Sequence, residues 1–287
     1  MRWTPGHVSR DVEDRRGQTL ARRGLSVGLG GVLLLFLLSL LTGRNFMSLL
    51  NSPGVVVQQP MPQAGPADAQ SPQERQLVEF VSNVLDDNQA FWNQQLAGQY
   101  RTAKLVLFRD LVQSACGMAQ AATGPFYCPA DERVYIDLGF YDELKRRFGA
   151  PGDFAQAYVL AHEIGHHVQK VLGVEAQVRQ LQQRRPDVAN ALSVRMELQA
   201  DCFAGVWGRS TAGRQTLAPG QVALEEGDIE EGINAAAAIG DDRIQRQTTG
   251  FVRPDSFTHG SSAQRVEWFK RGLQSGDVKA CDTFNAS

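Results

Sequence analysis

The residues best suited to chemistry lie in the segment His162-Glu163-Ile164-Gly165-His166, which has the pattern H-E-x-x-H within an apolar stretch. Residues four positions apart lie on the same face of an α-helix, so both imidazoles can reach one metal ion. Glu163 lies to the side of the histidines, where it can accept a proton from a water that the metal activates. The pattern therefore predicts a metal-dependent hydrolytic site, and nitrogen and oxygen ligands make zinc the default metal.

A third protein ligand is expected, because a catalytic zinc site usually has three. The downstream segment Met196–Ala204 has helical composition and places Glu197 and Asp201 four residues apart on one face. One carboxylate can bind the metal, and the other can accept the free N–H of a ligand histidine. Two solvated surface acids are the alternative, but the H-E-x-x-H motif upstream favours the metal interpretation.

The segments Ala157–Gln169, Glu197–Trp207 and Gly124–Asp131 resemble the bacterial neutral zinc metallopeptidase family. The E-x-x-x-D element is similar to that of the glutamate-type zincins, which include thermolysin. The resemblance covers residues 72–287 and implies an α+β, mostly helical zincin-like body with a small β element. It further implies one catalytic Zn2+ ion, with His162, His166 and Glu197 as ligands, Glu163 as general base and Asp201 as support for a ligand histidine.

Two further roles follow from the same resemblance. Residues 133–137 alternate like a strand, and in zincins a strand beside the cleft pairs with the substrate backbone. We therefore expect Val134, Tyr135 and Ile136 to form the substrate strand, although any half-buried strand has this pattern. Thermolysin-like enzymes place a histidine downstream of the third ligand to stabilise the oxyanion, which makes His259 the candidate here; a solvated loop histidine is the alternative.

The N-terminal region predicts a membrane anchor. Residues 25–43 carry no charge and are about long enough to span a bilayer as a helix. Residues 1–24 contain several arginines, which predict a cytoplasmic tail. A Pro/Gln-rich linker over 44–72 and a metallopeptidase domain over 73–287 follow. We thus expect a single-pass protein of the bacterial inner membrane, with its N-terminus in the cytoplasm and its C-terminal domain periplasmic or extracytoplasmic; a cleaved signal peptide and a buried core helix are the alternatives.

The four cysteines predict disulfide bonds, because an even number in an exported domain is typical of them. Spacing favours Cys116–Cys128 and Cys202–Cys281, although three pairings are possible. Buried free thiols are the alternative.

Composition sets the remaining expectations. A formal net charge of −2 gives no reason to expect a nucleic-acid partner, so the expected partners are a protein or peptide substrate and the membrane. The predicted function is a membrane-anchored zinc metalloendopeptidase. A non-hydrolytic zinc-binding adaptor and a metal-free, membrane-tethered interaction protein are the alternatives, and the presence of Glu163 argues against the adaptor because a site that only binds needs no base.

Overall fold

The computed structural model describes residues 1–17, 25–27, 55–57, 71–120 and 124–285, and it has the helix-rich α+β architecture that the sequence predicts. The chain divides into two units, one formed by Met1–Gln18 with Ser71–Ser287 and the other by Thr19–Gln70. The helices of the first unit are α1 (Pro72–Gln95), α2 (Gly139–Arg146), α3 (Asp153–Val171), α4 (Val174–Arg184), α5 (Ala189–Thr211), α6 (Asp228–Ala238), α7 (Asp241–Thr249) and α8 (Ser262–Ser275). The strands are β1 (Arg2–Trp3), β2 (Val12–Asp14), β3 (Leu25–Val27), β4 (Val55–Val57), β5 (Lys104–Phe108), β6 (Leu111–Ser114), β7 (Gly117–Gln120), β8 (Phe126–Cys128), β9 (Arg133–Asp137) and β10 (Val222–Ala223).

The main sheet has four strands in the order β2-β5-β9-β8. β2, β5 and β9 are mutually parallel, whereas β8 runs antiparallel to β9. The strand predicted over 133–137 is confirmed, but β9 lies between β5 and β8, and Val134, Tyr135 and Ile136 are almost fully buried. Because neighbouring strands occupy both of its hydrogen-bonding edges, the prediction that these three residues pair with the substrate is wrong. Among the described residues, β8 is the strand at this edge of the sheet.

Three helices pack closely enough to bring their backbones together. A methyl group added at Gly205 of α5 would lie 2.2 Å from the carbonyl oxygen of Phe269 in α8, and one added at Gly272 of α8 would lie 2.0 Å from that of Cys202. The backbone of α3 approaches α5 in the same way at Gly165. A methyl group added there would lie 3.0 Å from both the Cα atom and the carbonyl oxygen of Ala200. The absence of side chains at these glycines therefore fixes the spacing of the helices that carry the motifs.

Both expected disulfide bonds are present. Cys116–Cys128 links the loop between β6 and β7 to the end of β8, and its cysteines are 12 residues apart. Cys202–Cys281 ties α5 to the 3-10 turn after α8 across a separation of 79 residues. These two are called the shorter bridge and the longer bridge below. Both cysteines of the longer bridge are buried, so this bridge fastens α5 within the core.

The N-terminal segment is part of the same structural unit as the body, whereas the sequence predicted a separate tail over 1–24. β2 pairs with β5 in the main sheet, and β1 pairs with β10. Three arginines that suggested a cytoplasmic tail are engaged there instead. Arg2 donates to the carbonyl oxygens of Arg214 and Gln215, while Arg15 and Arg16 pair with neighbouring carboxylates.

The predicted membrane span over 25–43 and the predicted linker over 44–72 lie mostly outside the described residues. Within them, Leu25–Val27 and Val55–Val57 form two short parallel strands of the second unit. No helix in the described part of the chain has the length and apolar character needed to cross a membrane.

Candidate metal centre and catalytic cleft

Helix α3 presents the two motif histidines to a single point. His162 and His166 stand on one face, and the Nε2 atoms of both point toward the Glu197 carboxylate of α5. The His162 Nε2 atom lies 3.1 Å from Glu197 Oε2, and the His166 Nε2 atom lies 3.4 Å from Oε1. One potential ligand atom from each of the three residues lies within 4.8 Å of the other two. The structure thus brings together the three residues that the sequence assigned to the metal, His162, His166 and Glu197, which are called the trio below.

The other ring nitrogen of each histidine is held by an oxygen atom. His162 Nδ1 lies 2.8 Å from Asp201 Oδ1, and His166 Nδ1 lies 2.9 Å from Gln169 Oε1. The Gln169 oxygen is the acceptor in this contact, because its Nε2 atom donates to the Met196 carbonyl at 2.7 Å. In the neutral form, each imidazole would carry its proton on Nδ1, which leaves the Nε2 lone pair directed at the centre of the trio. Two neutral imidazole nitrogens and a carboxylate fit the donor set of a zinc ion.

Sequence analysis missed three residues that support the trio, namely Gln169, Arg265 and Tyr158. Gln169 lies three positions after His166, so helical spacing alone could have revealed it. Arg265 of α8 is distant in sequence, and its guanidinium forms a bidentate pair with Asp201, with Nε–Oδ2 and Nη2–Oδ1 distances of 2.9 and 2.8 Å. Arg265 precedes Trp268 and Phe269 by three and four residues, so the apolar face of α8 was the available signal.

Asp201 lies at the centre of a buried network. It has no exposed surface, and besides His162 and Arg265 it accepts a 2.5 Å hydrogen bond from the Tyr158 hydroxyl of α3. Burial alone would raise the pKa of Asp201, but the Arg265 charge and the His162 imidazole outweigh it and lower the pKa. Asp201 is therefore an ionised acceptor whose position is fixed by three donors.

The pKa values of His162 and Glu197 indicate that positive charge is favoured at the centre of the trio. Burial lowers the pKa of His162, yet the Asp201 charge and the hydrogen bonds to Asp201 and Glu197 outweigh burial and raise it to about 9. Burial would raise the pKa of Glu197, but the two histidines hold it well below its ordinary value. An ionised carboxylate that is largely shielded from water is stabilised by positive charge beside it, and a bound metal ion would supply that charge in place of the protons on the histidines.

A cavity of about 550 Å³ opens over the trio. Glu163 lines this cavity with His162 and His166, and only 8% of its surface is exposed. The lining also includes apolar residues and residues of β8: Pro125, Phe126, Tyr127, Phe140, Phe148 and Ile239. The cavity therefore brings together the candidate metal ligands, a further carboxylate and residues of an edge strand.

Strand β8 is fastened to the motif helix by a histidine that is not a ligand. His167 is fully buried, and its Nε2 atom donates to the Arg101 carbonyl at 2.5 Å. Its Nδ1 atom therefore accepts the 2.9 Å hydrogen bond from the Tyr127 hydroxyl of β8. Burial lowers the pKa of His167, in keeping with a neutral ring. The edge strand and the metal ligands are thus held by the same helix.

His259 also lines the cleft, with slightly more than half of its side chain exposed. Its Nδ1 atom lies 3.1 Å from Asp241 Oδ1, and Asp241 Oδ2 accepts the backbone N–H groups of Thr258, His259 and Gly260. The hydrogen bond to Asp241 is the largest influence on this imidazole and raises its pKa. Asp241 therefore positions the loop and directs the His259 Nε2 atom away from its own carboxylate.

Comparison with known proteins adds the family. A family model described as "Putative neutral zinc metallopeptidase" matches residues 1–284. The chain is similar to YpfJ of Escherichia coli K12, with 49% identity over the whole of both chains. It is also similar to Rv2575 of Mycobacterium tuberculosis, with 46% identity over 73% of this chain and 70% of the relative. No solved structure matches. The family match extends beyond the expected 72–287 into the N-terminal segment, and the chain belongs to this family of neutral zinc metallopeptidases.

Proposed function

We propose that this protein is a zinc-dependent endopeptidase that hydrolyses peptide bonds in the cleft above His162, His166 and Glu197. The observation that carries the proposal is the convergence of these three ligands with Glu163 on the wall of the same cavity. Purely structural zinc sites are usually closed by four protein ligands, whereas three ligands facing a cleft leave room for a reacting group.

The residues divide the chemistry among them. Zinc, when bound by His162, His166 and Glu197, supplies the Lewis acidity that activates a water and polarises the scissile carbonyl. Glu163 accepts the proton of the attacking water and passes it to the leaving amine. Asp201 and Gln169 keep the ligand histidines in the required tautomer.

The cleft also supports roles in substrate binding. The outer edge of β8, the last strand of its sheet among the described residues, would pair with an extended substrate, since edge strands commonly bind peptides by main-chain hydrogen bonds. The imidazole of His259, positioned by Asp241, would donate a hydrogen bond to the developing oxyanion. The raised pKa of His259 extends the protonated, donating form to higher pH than for an ordinary histidine.

Glu163→Gln tests the proposal directly. This change removes the base but keeps the side-chain shape, so zinc content measured by elemental analysis should stay near one per chain while hydrolysis of a casein substrate disappears. Glu143→Gln is the matched control, because Glu143 lines the same cleft and has no part in the trio. Hydrolysis that survives Glu163→Gln would refute the mechanism. Zinc binding without hydrolysis in the unaltered protein would indicate the adaptor function, and a zinc content near zero would indicate the metal-free one.

We further propose that the body works outside the bacterial cytoplasm, at the inner membrane. Two disulfide bonds support an oxidising compartment. The uncharged run over 25–43 is the proposed point of membrane contact. Trapping thiols with an alkylating reagent in living cells, followed by non-reducing electrophoresis, should find both bridges formed; free thiols at these cysteines would exclude this location.

A further inference from the structure

The first seventeen residues build part of the catalytic body. β2 pairs with β5 in register from Val12 opposite Leu105 to Asp14 opposite Leu107. The Leu105 N–H donates to the Asp11 carbonyl at 2.9 Å, and the Arg15 N–H donates to the Leu107 carbonyl at 2.8 Å. β5 is among the most deeply buried strands of the sheet, so these bonds satisfy backbone groups that would otherwise lack partners in the interior.

Polar side chains hold the segment from several directions. Asp11 is 7% exposed and accepts hydrogen bonds from Lys104 at 2.6 Å and from Gln89 at 3.2 Å. His7 contacts the Asp86 carboxylate at 2.7 Å, and Ser9 donates to the same carboxylate at 2.6 Å. A buried carboxylate such as Asp11 is stable only with these partners in place, so the contacts are specific to this docked position.

The same segment reaches the start of the motif helix. Trp3 stands edge-on to Phe80 of α1, with 5.9 Å between ring centroids. The Met1 ammonium group lies 2.7 Å from both carboxylate oxygens of Asp153, the first residue of α3, and 3.2 Å from Asp228. The segment therefore follows the body from the sheet edge to the helix that carries His162 and His166.

These contacts constrain the path of the chain through a membrane. Hydrogen bonds of about 3 Å join residues 1–17 to the body, whereas the hydrocarbon core of a bilayer is about 30 Å thick. A single crossing between the two parts would place them on opposite sides and break every one of these contacts. We infer that residues 1–17 and residues 71–285 lie on the same side of the membrane, so that the apolar run over 25–43 does not join them as one crossing. This inference does not depend on peptidase activity.

Cysteine labelling of the full-length protein tests the topology. All four native cysteines are disulfide-bonded, so an introduced cysteine would be the one reactive thiol. Val8→Cys marks the segment and Phe251→Cys marks the body, because these side chains are 58% and 74% exposed and their replacement should not disturb packing. Each variant is treated in spheroplasts with a membrane-impermeant maleimide, before and after lysis.

The expected result is the same labelling pattern for both variants. Labelling of both before lysis supports the inference and the proposed extracytoplasmic location; labelling of both only after lysis supports the inference and contradicts that location. If Phe251→Cys is labelled before lysis and Val8→Cys only afterwards, or the reverse, the two parts lie on opposite sides and the inference is overturned.

Cross-linking gives an independent measurement. In an Asp11→Cys, Lys104→Cys double variant, a short bis-maleimide should join the two thiols in intact membranes. Cleavage at a protease site introduced between residues 58 and 70 would then leave the fragments covalently attached. Either single variant is the control and should separate into two fragments. If the double variant separates as completely as the controls while zinc content shows that it is folded, the docked position is wrong.

Discussion

Gly165 lies inside the H-E-x-x-H motif, and its replacement by alanine tests whether helix spacing sets the geometry of the metal centre. The added carbon would lie 3.0 Å from the Ala200 Cα and carbonyl oxygen. Both contacts are to backbone atoms, so no side chain can rotate to relieve them. Carbon atoms pack best at about 3.5 Å or more, so α3 and α5 must separate by about 0.5 Å. That displacement equals the tolerance of about 0.5 Å within which a functional site must be held.

The expected effects on stability and on metal binding differ. Overpacking costs about 1–3 kcal/mol, while replacing glycine by alanine in a helix stabilises it by about 1 kcal/mol. The free energy of unfolding of the metal-free protein should therefore fall by about 0–2 kcal/mol. Zinc affinity should fall about tenfold, or about 1.4 kcal/mol, because Glu197 moves with α5 away from the two histidines on α3. Thermal unfolding with chelator and competition titration with a zinc indicator measure the two quantities separately.

Gly208→Ala is the matched control on α5. The added methyl group there meets only the side-chain tips of Phe154 and Leu273, at 3.2 and 3.5 Å. Zinc affinity should stay unchanged in this variant, and stability should change little. If Gly165→Ala binds zinc as tightly as the unaltered protein, the close approach of α3 and α5 does not determine the site, and the reasoning fails.

Other predictions concern the surroundings of the cleft. Arg265→Met leaves the Asp201 carboxylate buried without its main counter-charge, so we expect the metal-free protein to lose about 3–5 kcal/mol in urea denaturation, with partial rescue by Arg265→Lys. Because Asp241 raises the pKa of His259, this pair stabilises the fold fully below the ordinary histidine pKa, and its contribution is lost as the pH rises through the raised value. NMR titration of Asp241→Asn should therefore show the His259 pKa falling toward its ordinary value; an unchanged value would mean that Asp241 has no such influence. Removing the longer bridge by double alanine substitution should cost about 4.5 kcal/mol in the same denaturation assay, against about 3 kcal/mol for the shorter one, because the closed loops span 79 and 12 residues. Equal losses would contradict the loop-entropy argument.

The residues of the candidate metal centre were predictable because they occur as two pairs, and the members of each pair lie close together in the sequence. His162 and His166, like Glu197 and Asp201, stand four residues apart on a helix, and this spacing alone determines which side chains share a face. The resemblance to a known family then assigned the roles within each pair. Arg265 could not be predicted in this way, because its contact with Asp201 depends on how α5 and α8 cross, and that crossing depends on glycines whose effect appears only when two backbones meet.

The position of β9 in the sheet and the docking of the N-terminal segment could not be predicted, because both depend on contacts between distant parts of the chain. Alternation identified the strand over 133–137 but could not say whether it lies at an edge, since edge position depends on pairing with distant segments. The arginines of residues 1–17 resemble the cytoplasmic flank of a membrane span, yet Arg15 and Arg16 pair with Glu13 and Asp14. Charge counting is unable to separate these two uses of arginine, because it ignores the partners that folding supplies.

The order of the chain gives the longer bridge a consequence for biosynthesis. The acids at 197 and 201 are synthesised well before their distant partners, Arg265 and Cys281. Until those partners emerge, Asp201 lacks its guanidinium and α5 lacks its covalent fastening. Both contacts therefore form only after the C-terminal segment has been synthesised, so the supports of the candidate metal centre are completed last.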